Sequence, residues 1–360
     1  MSVMKALVYG GKNVFAWKNF PKPTILHSTD VIVKTVATTI CGTDLHILKG
    51  DVPEVKPETV LGHEAIGVVE SIGESVKNFN IGDKVLVSCI TSCGSCYYCK
   101  RNLQSHCKTG GWKLGHDLNG TQAEFVRIPY GDYSLHRIPH DADEKAVLML
   151  SDILPTAYEV GVLAGNVQKG DSVAIVGAGP VGLAALLTVK AFEPSEIIMI
   201  DTNDERLGAS LKLGATKTVN PTKVSSVKDA VYDIVNATVR VKENDLEPGV
   251  DVAIECVGVP DTFATCEEII APGGRIANVG VHGTKVDLQL QDLWIKNIAI
   301  TTGLVATYST KDLLKRVSDK SLDPTPLVTH EFKFSEFEKA YETSQNAATT
   351  KAIKIFLSAD

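Results

Sequence analysis

Ser172-Val173-Ala174-Ile175-Val176-Gly177-Ala178-Gly179-Pro180-Val181-Gly182 is the stretch whose reading decides the fold of this chain. A strand-like run, Ser172 to Val176, passes directly into G-x-G-x-x-G, and Val181 to Ala191 then continues as an apolar helix. In that setting Gly177 supplies the tight turn, Gly179 lets the backbone approach a pyrophosphate, and Gly182 lets helix and strand pack closely. Pro180 and Val181 open the helix whose N-terminus faces the phosphates. The next strand-like run, Glu196 to Ile200, ends at Asp201. That is the distance at which a dinucleotide-binding fold sets an acid on the adenosine ribose, where a carboxylate accepts from both hydroxyls and repels a 2′-phosphate. The expected cofactor is therefore NAD rather than NADP. Outside such a fold the same Asp201 reads as a plain turn residue or helix cap.

Working outward, strand-like runs alternate with helical ones: Glu205 to Leu213, VDVAIEC from Val250, Thr262 to Ile270, and RIANVGV from Arg275. The alternation predicts a parallel sheet with helices on both faces. Upstream of residue 150 the character changes. KALVYG, NVFAWKNF, DVIVKTVATTI, AIGVVESIG and DKVLVS are short β-branched runs parted by Gly, Pro, Asp and Asn, which predicts a mostly antiparallel β domain. A helix near Ser335 to Ser344 and a strand at AIKIFL are expected to return to that first domain. The expected division is 1–151 with 301–360, against 152–300. With 360 residues, 44% of them hydrophobic, the chain can build two cores. A formal net charge of −7 leaves no basic surface for nucleic acid or anionic lipid. No apolar stretch approaches the roughly 20 residues of a bilayer crossing. MSVMKALVY lacks the pattern of a signal peptide, so a soluble cytoplasmic protein is expected.

Cys93, Cys96, Cys99 and Cys107 follow C-x2-C-x2-C-x7-C. Spacing this tight lets one loop wrap a tetrahedral zinc, and with every position taken by sulfur such a zinc is structural. Four reduced thiols or a disulfide cluster is the competing reading. Cys41 and His63 each sit in a Gly-flanked turn after a β run, in TTICGTDLH and LGHEAIG. They are either two ligands of a catalytic zinc whose third ligand comes from another loop, or ordinary packing and hydrogen-bonding residues. Spacing does not identify the third. Cys89, Cys256 and Cys266 read as buried small hydrophobes.

Several motifs in order carry a resemblance: Cys41-Gly42-Thr43-Asp44-Leu45-His46, Gly62-His63-Glu64, the four-cysteine loop, Gly111-Trp112-Lys113, Ser151-Asp152-Ile153-Leu154-Pro155-Thr156, and the glycine fingerprint. Along essentially its whole length the chain resembles the zinc-dependent medium-chain alcohol dehydrogenases. The resemblance implies a GroES-like, mostly antiparallel β catalytic domain plus a Rossmann doubly wound domain, and two zinc ions per subunit. It implies Cys41, His63 and Asp152 as catalytic zinc ligands, with Glu64 close enough to ligate transiently. An aspartate at position 152, where many members have cysteine, is similar to the secondary alcohol and formaldehyde dehydrogenase branches, and its harder oxygen leaves the zinc more electrophilic.

The same resemblance places Thr43 at the substrate oxygen and makes Thr43 and His46 a proton relay, with Asp44 orienting a zinc ligand. It sets Thr156 beside the nicotinamide, Arg206 near the adenosine ribose, Lys351 near the pyrophosphate and Trp112 on the substrate pocket. Secondary alcohol enzymes similar around Trp112 often lack the cysteine loop and use NADP, which weakens the substrate inference more than the cofactor inference. The expected function is NAD-dependent interconversion of alcohols, preferably secondary, with ketones or aldehydes. A polyol or diol dehydrogenase of the same family is the alternative, and a non-catalytic zinc and nucleotide-binding protein a second. By analogy the segment Leu293 to Val305 joins subunits, as a tetramer rather than a dimer.

Overall fold

The computed structural model describes residues 2–238 and 247–360. The chain forms two compact units, Met1–Pro155 with Ala306–Asp360, and Thr156–Val305. The divisions fall after Pro155 and Val305, a few residues beyond the expected 151 and 300, and the first lies inside the short helix Ile153–Thr156.

In the first unit a seven-stranded sheet runs in the order Val328–Lys333, Lys354–Ser358, Val31–Thr38, Ala65–Ile72, Lys84–Val87, Leu135–Arg137, with Phe125–Ile128 also pairing Val31–Thr38. Val31–Thr38, Ala65–Ile72 and Lys84–Val87 pair antiparallel, and a separate hairpin joins Val3–Gly11 to Val14–Pro21. The strand at AIKIFL is Lys354–Ser358, antiparallel to Val31–Thr38 and parallel to Val328–Lys333. Its neighbour, the helix Phe337–Gln345, buries Phe337, Ala340 and Tyr341 among Leu7, Ile47, Leu61 and Leu357. A side chain the size of Phe337 contributes about 1.5–3 kcal/mol on leaving water, so the tail is part of this core.

The second unit holds a six-stranded parallel sheet: Lys217–Val219, Glu196–Ile200, Ser172–Val176, Val250–Glu255, Ile270–Asn278, Ala299–Thr302. Counted along the chain within the unit, that order is 3-2-1-4-5-6, the doubly wound arrangement whose direction reverses between Ser172–Val176 and Val250–Glu255. All five residues of Ser172–Val176 are buried, as a central strand covered on both faces requires. The outermost strand, Ala299–Thr302, is mostly exposed, and beside it Trp294 and Ile295 are 71% and 68% exposed. No helix among the described residues is long and apolar enough to cross a membrane.

Candidate metal centre and nucleotide cradle

The cradle lies at the reversal point of the parallel sheet. Gly177 has φ +102, a conformation that only glycine adopts readily, and a Cβ there would also strike Val257 Cγ2 at 2.6 Å. At Gly182 a Cβ would come within 1.8 Å of the Gly177 carbonyl oxygen, so helix and turn touch through bare backbone. Pro180 occupies the first turn of the helix Pro180–Val189, where its missing N–H costs nothing and its φ is already helical. Asp201 stands at the end of Glu196–Ile200. Its Oδ2 accepts the Ala178 N–H at 2.7 Å and its Oδ1 the Asn203 N–H at 2.8 Å. Arg206, in the first turn of Asp204–Leu213, brings Nη1 to 4.0 Å from where a Gly179 Cβ would stand. Gly177, Gly179, Gly182, Asp201 and Arg206 are thus gathered at one place in this unit.

Within the first unit, Cys41, His63, Glu64 and Asp152 converge with all their ligand atoms within 4.8 Å of one another. Each is delivered by a local device. Cys41 is the extended residue before the helix Gly42–Lys49, and Asp44 Oδ2 reaches back to accept the Cys41 N–H at 2.9 Å. That carboxylate is held in turn by Gln122 Nε2 at 3.1 Å, and Gln122 Oε1 accepts from the Tyr341 hydroxyl at 2.8 Å. Asp44 therefore fixes Cys41 through its main chain. His63 follows Gly62, whose φ of +89 turns the chain into the strand Ala65–Ile72. Asp152 sits just before the helix Ile153–Thr156.

The spacing of these donors suits a tetrahedral ion. Zinc bonds of about 2.3 Å to sulfur and 2.0–2.1 Å to nitrogen and oxygen give tetrahedral edges of about 3.5 Å for S···O and 3.3 Å for N···O. Cys41 Sγ lies 3.6 Å and His63 Nε2 3.3 Å from Asp152 Oδ2. Glu64 is 1% exposed, and its Oε1 accepts from Lys354 Nζ at 2.8 Å while Oε2 is buried without a hydrogen-bond partner. A buried carboxylate oxygen in that state fits a nearby cation.

The electrostatics point the same way. Burial, then the charge of Asp152, pushes the Cys41 thiol up. Burial also raises the Glu64 carboxyl, with the Lys354 ammonium pulling it back. For His63 burial opposes protonation, but the bonds to Asp152 and Cys41 outweigh it and hold its pKa well above the ordinary value. The raised His63 shows that a positive charge is favoured beside these donors.

The four-cysteine loop also closes on itself. Cys93, Cys96, Cys99 and Cys107 form a second group of mutually close donors. Cys99 Sγ is 3.5 Å from Cys96 Sγ and 4.0 Å from Cys93 Sγ, against an edge of about 3.8 Å for four sulfurs around zinc. The Cys93 N–H donates to Cys107 Sγ at 3.3 Å. The thiols share their protons unequally: backbone and Ser95 hydrogen bonds outweigh burial to lower Cys93 to about 6, whereas burial and the neighbouring sulfurs push Cys99 up to about 12. All eight cysteines are free.

Thr43 Oγ1 lies 3.6 Å from Cys41 Sγ. His46 is exposed, with Nδ1 2.8 Å from Asp51 Oδ2, a partner that sequence reasoning missed. Gly50 ends the helix in a left-handed turn, and the Asp51 N–H returns to the His46 carbonyl at 3.0 Å, which brings the two side chains together. Trp112 is half-buried, edge-on to His63 at 6.5 Å between centroids and stacked on His116 at 4.3 Å. Thr156 is half-buried at the end of its short helix.

Lys351 is exposed after the helix Ala347–Thr350. A different lysine, which sequence reasoning missed, stands at the metal cluster: Lys354 donates to Glu64 Oε1 at 2.8 Å and to the Ile40 carbonyl at 3.3 Å. The signal for it was a lysine inside the apolar strand AIKIFL. Of the three cysteines read as small hydrophobes, Cys266 is fully buried and Cys256 only half-buried. Cys89 is buried but polar in its contact, with Sγ 3.5 Å from Asp152 Oδ1.

Comparison with known proteins agrees with this geometry. Residues 27–140 match the alcohol dehydrogenase GroES-like domain, and residues 180–319 match zinc-binding dehydrogenase. The structure is similar to zinc dependent alcohol dehydrogenase 2 from Streptococcus pneumonia, with 47% identity, a TM-score of 0.92, and 99% of each chain covered. The sequence is 33% identical to zinc-type alcohol dehydrogenase B of Aspergillus flavus, covering 88% of this chain and 74% of that protein. It is 31% identical to the L-threonine 3-dehydrogenase of a Shewanella species, covering 92% and 94%.

Proposed function

Because the chain belongs to the zinc-dependent medium-chain alcohol dehydrogenase family, we propose that it transfers hydride between NAD(H) and an alcohol–carbonyl pair, with secondary alcohols preferred. The observation that carries this is the donor set Cys41, His63 and Asp152, spaced as edges of one tetrahedron, with Glu64 behind it. Three protein ligands leave a fourth position for substrate, which a purely structural site has no need of. When bound there, zinc supplies a Lewis acid that draws charge from the substrate oxygen. NAD supplies the hydride acceptor.

The chain's own residues do the rest. The carboxylate of Asp152 gives the cluster a hard oxygen in place of a second thiolate, and Asp44 keeps Cys41 in place through its N–H. Thr43 takes the proton of the substrate hydroxyl into a relay that ends at His46, whose exposure and contact with Asp51 suit delivery to solvent. Lys354 holds Glu64 at Oε1, leaving Oε2 to approach the metal when the substrate position exchanges. Trp112, edge-on to His63, walls the substrate position. On the nucleotide side, Gly177, Gly179, Pro180, Val181 and Gly182 cradle the pyrophosphate, and Asp201 accepts the ribose hydroxyls with Arg206 beside it. Thr156 borders the nicotinamide. A second zinc in the four-cysteine loop holds that loop in shape.

The L-threonine 3-dehydrogenase relative favours a second reading, in which the substrate carries further polar groups, as a polyol or diol does. Self-association as a tetramer through the exposed edge around Ala299–Thr302, in a reducing cytoplasm that keeps the ligand thiols free, completes the proposal. The test is NADH formation by purified protein, with NAD and NADP in parallel, across secondary alcohols, primary alcohols and polyols, before and after prolonged chelation. Chelator-sensitive turnover of simple secondary alcohols with NAD is expected. Preference for polyols would favour the second reading, and absence of turnover in zinc-loaded protein would overturn both.

A further inference from the structure

Cys89 was read from the sequence as core filler, yet its surroundings are those of a residue that works on a neighbour. It follows the strand Lys84–Val87, is 3% exposed, and meets the Asp152 segment twice. Its N–H donates to the Ser151 carbonyl at 3.1 Å and its thiol to Asp152 Oδ1 at 3.5 Å. The other oxygen of that carboxylate, Oδ2, is the one that forms tetrahedral edges with Cys41 and His63. The two oxygens thus face different ways. Cys89 stands outside the four-donor cluster, so its sulfur is placed to donate to the carboxylate and not to bind the ion.

On the dehydrogenase reading above, we propose that Cys89 is a positioning residue of the metal centre. Its thiol occupies Asp152 Oδ1 and so presents Oδ2 alone to the zinc. A carboxylate free to rotate about χ2 could offer both oxygens and take the coordination position meant for substrate. The backbone bond to Ser151 fixes the distance over which the thiol acts. This gives a buried cysteine a function distinct from packing, and partners of this kind set metal affinity and ligand orientation by about 10–100-fold.

The test compares wild type with Cys89→Val, which removes the donor and leaves an apolar side chain one methyl larger, and Cys89→Ser, which keeps a donor in a smaller side chain. Full-length proteins are loaded with zinc, and the more weakly held ion is titrated away by a competing chelator. The four-cysteine zinc serves as the internal measure of folding. The same site is then filled with cobalt(II) and its visible absorption recorded. Cys89→Val is expected to keep the four-cysteine zinc, lose the other about 10–100-fold more readily, and show a shifted cobalt spectrum. Cys89→Ser is expected to lie nearer to wild type. Affinity and spectrum unchanged in Cys89→Val, or equal loss in both variants, would overturn the role of Cys89 while leaving the dehydrogenase reading intact. A wild-type protein that takes up no second ion would overturn both.

Discussion

Replacing Asp201 by alanine perturbs the nucleotide cradle at an acidic group hydrogen-bonded to the glycine turn. The carboxylate is aimed at that turn, accepting the Ala178 N–H at 2.7 Å and the Asn203 N–H at 2.8 Å. Two charge-assisted hydrogen bonds to ribose hydroxyls are worth about 1.5 kcal/mol each at the low end, together about 3 kcal/mol or roughly 150-fold in NAD affinity. A doubly charged 2′-phosphate about 5 Å away would be repelled by about 2 kcal/mol in a water-like dielectric, and by about 6–7 kcal/mol at an effective value near 20. Together these put the wild-type preference for NAD over NADP on the order of a thousandfold or more. The assay is kcat/KM for each cofactor at saturating alcohol, for wild type, Asp201→Ala and Asp201→Asn. In Asp201→Ala the KM for NAD should rise about 100-fold, and the preference should collapse. Asp201→Asn, which loses the charge but keeps an acceptor, should fall between. Thermal unfolding of both variants controls for loosening of the Ala178 turn. A wild-type enzyme that uses NADP as well as NAD, or an unchanged ratio in Asp201→Ala, would refute the reasoning.

Gly182→Ala drives a methyl to 1.8 Å from the Gly177 carbonyl, a contact with backbone that cannot swing aside; NAD binding measured by fluorescence should be lost, and wild-type affinity would mean the helix has room to move. Lys354→Met removes the ammonium paired with buried Glu64 and should cost about 3–5 kcal/mol in denaturant unfolding of the zinc-free protein, with Glu64→Gln in the same chain recovering most of it; a cost under about 1 kcal/mol, or no recovery, counts against the pair. Burial and the nearby Lys311 lower His136 from 6.5 to about 4. Since the folded value lies below the unfolded one, its neutral form contributes stability above about pH 6.5 that is lost as pH falls toward 4, up to about 3 kcal/mol. His136→Leu should flatten that acid limb in urea titrations from pH 7 to 4, and an identical slope in both proteins would exclude His136 as its source.

Sequence reading succeeded where chemistry repeats in short range. The glycine turn, the strand before it and the four-cysteine loop each carry their geometry in a few consecutive residues, so Gly177, Gly182 and Cys93 to Cys107 were legible directly. The donor group of Cys41, His63 and Asp152 was not, because those residues are far apart in the chain and only the folded sheet brings them together. A resemblance in motif order supplied Asp152 where spacing had left the third ligand open. Lys354, at the metal cluster, was not legible either. Two lysines three residues apart, Lys351 and Lys354, look equivalent until the strand Lys354–Ser358 forms and turns one of them inward. Cys89 was misjudged for a related reason: burial alone does not distinguish a thiol packed against methyl groups from one packed against a carboxylate. Asp51 became a partner of His46 only through the left-handed turn at Gly50.

The first unit is built from both ends of the chain, with the second inserted between them, and this orders events during synthesis. The strand Val31–Thr38 is made well before its partner Lys354–Ser358, which follows it by roughly 300 residues. Phe125–Ile128 covers Val31 to Lys34 in the meantime, but at roughly 5–20 residues per second the ribosome leaves the Ala37–Thr38 end of that edge unpaired for tens of seconds. The nascent first unit therefore waits with an open sheet margin and with Glu64 lacking its lysine, while the uninterrupted stretch Thr156–Val305 can collapse on its own. A chain stalled before residue 354 would carry a finished nucleotide-binding unit attached to an adhesive, half-made sheet, which is the form a cell's chaperones would be expected to meet.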